Sequence, residues 1–124
     1  MLSKAREYYN KRKVLVTGGA GFIGSNLCEE LLSCGARVIC VDNLITGRVE
    51  NIEKFKGNTN FTFTEGCLTD YAVCESVVSD VEVVFHQAAL GSVPRSIENP
   101  ILTNQHNITA FLNILEASRK EGIK

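Results

Sequence analysis

The sequence predicts an α/β fold, a doubly wound parallel sheet covered by helices on both faces, and three observations predict it. Short apolar runs of strand length alternate with longer segments whose apolar residues recur at helical spacing. The first run ends in a cluster of glycines that opens directly into a helical pattern. The second run ends in an acid, Asp42. Such alternation belongs to strands that pair in parallel, with helices as their crossovers.

The elements follow in order. Lys13-Val14-Leu15-Val16-Thr17 is a short apolar run and reads as a buried parallel strand. In the helix after it, Ile23, Leu27 and Leu31 recur every four residues, with Cys28 and Leu32 widening the stripe. Gly35 is its expected stop, because glycine tolerates the left-handed backbone there. Arg37 to Val41 is the second strand. The polar segment 46–57 carries Val49, Ile52 and Phe55 three residues apart and is expected to form a short helix. Phe61 to Thr64 is a third strand. A helix around 70–79 presents Val73, Val77 and Val78, and Val81 to Phe85 is the fourth strand. A loop runs from Ala89 to Pro100. Pro100 suits the first turn of a last helix, where its missing N–H costs nothing. Ile108, Phe111, Leu112, Leu115 and Ala117 give that helix its apolar side, and Gly122 ends it.

Composition limits what this fold can do. The chain has 124 residues, enough for one domain with a core, and is 44% hydrophobic and 22% charged, a globular balance. Lys plus Arg is 13 against 14 Asp plus Glu, a net charge of −1, so no global field draws the chain to nucleic acid or anionic lipid. No apolar run approaches the roughly 18 residues of a membrane span, and no apolar stretch of signal-peptide type follows the basic start. The basic residues Lys4, Arg6, Lys11, Arg12 and Lys13 read as a solvated lead-in with a helical turn around Tyr8 and Tyr9; an arm for an anionic partner is the other reading. The expected division is a lead-in over 1–12 and a partial domain over 13–124. Five cysteines, an odd number with no C-x-x-C pair, suit reduced thiols and a cytoplasmic location. Two histidines, His86 and His106, without ligand-like clustering give no reason to expect a metal.

The chemistry concentrates in Thr17-Gly18-Gly19-Ala20-Gly21-Phe22-Ile23-Gly24, between the first strand and the first helix. Gly18, Gly21 and Gly24 fall three apart. Gly18 permits a tight turn, Gly21 lets the backbone approach a pyrophosphate, and Gly24 lets the helix pack closely. The helix N-terminus then offers unpaired N–H groups and a positive dipole end to the anion. Asp42 lies 18 residues after Gly24. A carboxylate there can accept both hydroxyls of an adenosine ribose and repel a 2′-phosphate, which favours NAD over NADP.

These residues, with Val41-Asp42-Asn43-Leu44, Thr46-Gly47 and His86-Gln87-Ala88-Ala89, resemble the extended short-chain dehydrogenases that modify nucleotide sugars, over residues 13–124. The string Gln87 to Ser96 is similar to the branch of UDP-N-acetylglucosamine 4-epimerases, and the lead-in with two tyrosines resembles that branch's extra N-terminal segment. The resemblance implies a Rossmann sheet cut after its fourth strand, with NAD as cofactor and a UDP-sugar as substrate of the full-length protein. It implies that Phe22 and Ile23 offer backbone N–H groups to the pyrophosphate. Asp42 and Asn43 would hold the ribose with Thr46 and Gly47 nearby, and Cys67 and Leu68 would flank the adenine. Cys67 departs from the family's usual Asp, which leaves one expected adenine hydrogen bond to the backbone there. Gln87, Ala88 and Ala89 would let the cofactor lie close to the fourth strand, Asn107 would stand near the nicotinamide side, and Gly91 and Ser92 would touch the sugar. Arg95 is expected to be a structural ion-pair partner and His86 a packed, hydrogen-bonded histidine.

No catalytic residue is assigned. The family's Tyr-x-x-x-Lys pair opens a helix after the fifth strand, whereas Tyr9 and Lys13, which share the spacing, precede the first strand. The chain alone is therefore expected to be inactive, with an open edge on its fourth strand through which copies could associate. A nucleotide-sugar dehydratase or decarboxylase, or a free-standing NAD-binding module, are the other readings.

Overall fold

The computed structural model describes residues 3–88 and 98–123, with 102, 103, 105 and 106 described by their backbone alone. A first helix, α1 (Ser3–Tyr9), leads into β1 (Lys13–Thr17), α2 (Phe22–Ser33) and β2 (Arg37–Asp42). Two 3₁₀ turns, Val49–Asn51 and Glu53–Phe55, precede β3 (Phe61–Glu65), α3 (Tyr71–Val77) and β4 (Val83–His86). The last helical stretch comprises α4 (Pro100–Asn104), a π-helical segment (Gln105–Thr109) and α5 (Ala110–Glu121).

The described strands form one parallel sheet in the order β3-β2-β1-β4. β1 is central, and Val14, Leu15, Val16 and Thr17 are all fully buried. Because side chains alternate along a strand, Val14 and Val16 face one layer and Leu15 the other. The first layer joins Cys28 and Leu31 of α2 to Ile52 and Phe55 of the 3₁₀ turns. The second joins Cys74 and Val77 of α3 to Ala110, Ile114 and Ala117 of α5. This is the doubly wound architecture the alternation predicts, with helices on both faces.

Four expectations need correction, the last of them in α5. The stripe of α2 does not run through Ile23, which is 68% exposed; its buried residues are Gly24, Ser25, Cys28 and Leu31. The helix is rotated because Gly24 lies against the glycine turn: a Cβ there would stand 2.2 Å from the Gly18 carbonyl oxygen. The segment 46–57 holds 3₁₀ turns instead of an α-helix, and its three-residue spacing is the period at which 3₁₀ side chains eclipse. That geometry buries Ile52 and Phe55 and leaves Val49 exposed. The fourth strand starts at Val83, two residues late. Asp80 adopts a left-handed φ of 59° and the Val81 N–H closes on Val78, so the ladder first registers at Val83 opposite Val14.

α5 differs most from its sequence pattern. The buried residues are Ala110, Ile114 and Ala117, whereas Ile108, Phe111, Leu112 and Leu115 are exposed. Small alanines let α5 lie close to α3, and the larger apolar residues form a second stripe facing outward. The lead-in is also less detached than its charge suggests. Tyr9 packs against Phe85 with ring centroids 5.9 Å apart, and Arg6 Nη2 donates to the Ser33 carbonyl at 2.8 Å.

Two outcomes follow for stability. Gly24→Ala should cost about 2 kcal/mol or more, since its methyl group meets rigid backbone. Gly57→Ala, at φ +90° with open space around it, should cost only the left-handed strain of about 1 kcal/mol. Thermal unfolding of the two variants side by side checks the difference. The outward stripe of α5 should bind an apolar dye, and the Leu112→Glu, Leu115→Lys double variant should lose that fluorescence without a matching loss of stability.

Candidate functional site

The strand order reverses at β1. The chain moves outward through β2 and β3, then returns to place β4 on the other side of β1. At such a reversal the loops leave in opposite directions and open a crevice beyond the carboxyl ends of the strands. A cleft opens there, lined by Gly18, Gly21, Val41, Asp42, Asn43, Thr46, Gly66, Leu68, Gln87, Ala88 and Ala110. Eight of the residues singled out from the sequence meet in it: Gly18, Gly21, Asp42, Asn43, Thr46, Leu68, Gln87 and Ala88.

The turn from β1 into α2 forms one wall. Gly18 has a φ of +68°, and a Cβ on it would lie 2.8 Å from the Ala88 backbone. Both the left-handed conformation and the approach of β4 therefore require glycine. Gly21 precedes α2 in an extended conformation and provides no capping side chain. The first turn of α2, which begins at Phe22 and Ile23, therefore has no side-chain cap. The side chains of Phe22 and Ile23 are exposed, and neither residue is part of the cleft lining, which reaches this turn at Gly18 and Gly21. Gly24 serves packing, as described above.

Asp42 ends β2 and is almost wholly buried, at 8% exposure. Its Oδ2 accepts the Ala20 N–H at 3.0 Å and its Oδ1 the Leu44 N–H at 2.8 Å. The first bond ties the glycine turn to β2, and the second closes a local turn at Leu44, whose φ is 63°. Gly47 packs behind the carboxylate, where a Cβ would come within 2.6 Å of Oδ2. Each carboxylate oxygen keeps lone-pair capacity for a further donor. The carbonyl of Ala20 is held in turn by Arg48 N at 3.0 Å and Asn51 Nδ2 at 2.8 Å.

On the β3 side, Asn43 Nδ2 reaches Cys67 Sγ at 3.7 Å, and Cys67 Sγ lies 2.9 Å from Thr69 Oγ1. Burial pushes the Cys67 thiol up, but the hydrogen bonds from Thr69 and Asn43 outweigh it and leave the thiol below its ordinary value. Cys67 stands behind the lining, between Gly66 and Leu68, which are part of it. Leu68 is clamped from α5: Asn113 Nδ2 donates to its carbonyl at 2.9 Å and to that of Thr69 at 3.2 Å. Asn107 lies in the π-helical segment just before Ala110, outside the cleft lining. Ala89, Gly91, Ser92 and Arg95 lie outside the described residues.

At the end of β4, Gln87 and Ala88 donate their N–H groups to Thr17 Oγ1 at 3.0 and 3.1 Å. The same hydroxyl lies 2.8 Å from His86 Nδ1. His86 is half-buried against Phe111, ring centroids 5.5 Å apart, and burial lowers its basicity. It is the packed, hydrogen-bonded histidine expected from its place at a strand end.

Thr17, Asn51 and Asn113 shape the site, yet sequence reasoning did not select them. Each acts through a bond to a residue far along the chain, and no periodicity or motif spacing marks such a bond. A buried hydroxyl directly before a glycine turn was the available signal for Thr17. Tyr9 and Lys13 take no part in the cleft. Lys13 Nζ bonds the Ser79 carbonyl at 2.9 Å. Among the described residues no group of His, Cys, Asp and Glu is arranged to hold a metal, and no helix is long and apolar enough to cross a membrane.

Comparison with known proteins agrees with this geometry. The chain is 36% identical over 115 residues to UDP-glucuronic acid decarboxylase 1 of Danio rerio, covering 93% of this chain and 26% of that protein. It superposes on the UDP-N-acetylglucosamine 4-epimerase of Methanobrevibacter ruminantium M1, solved with UDP-N-acetylmuramic acid, with a TM-score of 0.85 and 39% identity, covering 93% of this chain and 36% of that one. It superposes on the UDP-glucose 4-epimerase of Thermus thermophilus, solved with NAD, with a TM-score of 0.80 and 41% identity, covering 90% of this chain and 35% of that one. The chain thus spans between about a quarter and about a third of the length of these relatives. A family model matches residues 14–124, and the chain, with its glycine turn and Rossmann sheet, belongs to the NAD dependent epimerase/dehydratase family.

Proposed function

We propose that the cleft holds NAD and that the chain is the NAD-binding portion of a nucleotide-sugar epimerase, with UDP-N-acetylglucosamine 4-epimerase as the specific activity. One observation carries the reading. An α2 N-terminus without a capping side chain, a turn whose Gly18 has no room for a Cβ and a buried carboxylate converge where the strand order reverses. The first suits a pyrophosphate, the second allows it close approach, and the third suits a ribose diol.

In this reading the backbone N–H groups of Phe22 and Ile23 hold the pyrophosphate, with Gly18, Gly21 and Gly24 keeping the turn free of side chains. Asp42 accepts the ribose hydroxyls through its remaining lone pairs, assisted by Asn43, Thr46 and Gly47. Cys67 and Leu68 border the adenine, through backbone groups where the family's acid is replaced. Gln87, Ala88, Ala89 and Asn107 lie along the nicotinamide side, and Gly91 and Ser92 meet the UDP-sugar. NAD supplies a hydride acceptor for the sugar carbon and returns the hydride. The residues here bind and orient it; none of them is assigned a proton transfer. Residues 1–12 are taken as a lead-in and 13–124 as the partial NAD-binding domain, in a cytoplasmic protein with reduced thiols. The similarity to a decarboxylase supports a second reading, in which the same cleft serves a UDP-sugar decarboxylase or dehydratase.

NAD should bind more tightly than NADP, by roughly tenfold or more, because Asp42 opposes a 2′-phosphate. Asp42→Asn should narrow that gap; titration calorimetry with both cofactors measures it, and equal affinity in the unsubstituted protein overturns the reading. Incubated with NAD and UDP-N-acetylglucosamine, the 124-residue chain should form no epimerised sugar. Turnover would move the chemistry onto residues present here and make Tyr9 and Lys13 the first to substitute.

A further inference from the structure

We infer that Thr17 and His86 form a positioning pair that holds the end of β4 against the glycine turn, so that NAD affinity depends on a neutral imidazole at position 86. The inference rests on the reading of the cleft as the NAD site.

The argument is one of hydrogen-bond capacity. A threonine hydroxyl has one hydrogen and two lone pairs. The Thr17 oxygen accepts N–H groups from Gln87 at 3.0 Å and Ala88 at 3.1 Å. Both lone pairs are therefore engaged, one by the Ala88 N–H and one by the Gln87 N–H, which is shared with the Thr17 carbonyl at 3.1 Å. With both N–H groups on the oxygen, the contact of 2.8 Å to His86 Nδ1 is one in which the hydroxyl donates. Nδ1 is left without a proton, and the neutral ring carries its hydrogen on Nε2. Thr17 is fully buried, so these bonds do not exchange with water.

The pair acts where the cofactor would lie. Gln87 and Ala88 line the cleft, and the Gly18 backbone approaches Ala88 too closely for a Cβ. Gln87 N also bonds the Thr17 carbonyl at 3.1 Å, whereas the Ala88 N–H has the Thr17 hydroxyl as its described partner. Protonating Nδ1 places two donors face to face. To accept from the imidazolium, the Thr17 oxygen must release an N–H group, and the end of β4 loses a tie to β1. The described groups facing His86 are the Thr17 hydroxyl from β1 and the Phe111 ring from α5. Among the described residues no carboxylate or cation faces the ring, and burial alone lowers its pKa below the ordinary 6.5. Since the folded value lies below the unfolded one, the stability tied to the neutral ring is complete above pH about 6.5 and is lost as pH falls through the folded value.

The test is NAD affinity by titration calorimetry between pH about 5 and about 8, on the unsubstituted chain and three variants. Affinity should be level above pH about 7 and fall roughly tenfold toward pH about 5, the loss of one hydrogen bond. Thr17→Val should bind about tenfold more weakly throughout, with no slope, and Thr17→Ser should restore both affinity and slope. His86→Asn places a non-titrating acceptor near Nδ1 and should abolish the slope. A level profile in the unsubstituted chain, or an unchanged slope in His86→Asn, overturns the inference. The ¹⁵N shifts of the His86 ring decide it independently, even if Thr17→Val fails to fold: an Nδ1–H tautomer at pH about 8 overturns it. Absence of NAD binding at that pH together with the Nε2–H tautomer would refute the NAD reading and its consequence for affinity, while leaving the pair itself established.

Discussion

Where Gly18 passes Ala88, just beyond the ends of β1 and β4, there is room for backbone and nothing more. Gly18 turns left-handed there, within contact of Ala88, and Gly24 brings α2 down onto the same turn. These approaches settle where α2 begins and which of its sides is buried. They also place Gly18 and Gly21 in the wall of the cleft. A side chain at either position would push β4 or α2 outward, and the crevice at the strand-order reversal would lose its wall.

Hydrogen bonds secure what sterics allow. The turn is tied to β2 through Asp42 and Ala20, to the 3₁₀ region through Asn51, and to β4 through Thr17. All of these bonds are at least partly buried, where an unmet partner is costly. Asp42 shows the consequence most clearly. The carboxylate proposed to meet a ribose is also the group that holds the turn. Substitutions there must be judged by affinity and stability together.

The second helical layer is built differently. α5 meets the sheet through alanines and Ile114, and Asn113 reaches from it to clamp the loop bearing Leu68. Its larger apolar residues face away from this core. The layer thus positions one rim of the cleft while presenting an apolar stripe on its far side.

The order of strands and helices, the glycine turn and the acid after β2 were legible in the sequence because each is a local pattern. Strand runs, helical periods and glycines at a sharp turn depend on near neighbours in the chain, and β1 and β2 fall where the sequence places them. The family resemblance rested on those same local strings. Only the tertiary structure decided which face of each helix is inside. In α2 the steric demand of Gly24 overrode the stripe through Ile23. In α5 close packing against α3 selected alanines over the leucines that dominate its pattern. The roles of Thr17, Asn51 and Asn113 were likewise undecided by sequence. A periodic pattern records that a side chain is apolar or polar, whereas what it touches depends on segments tens of residues away, brought near only when the sheet and its two layers close.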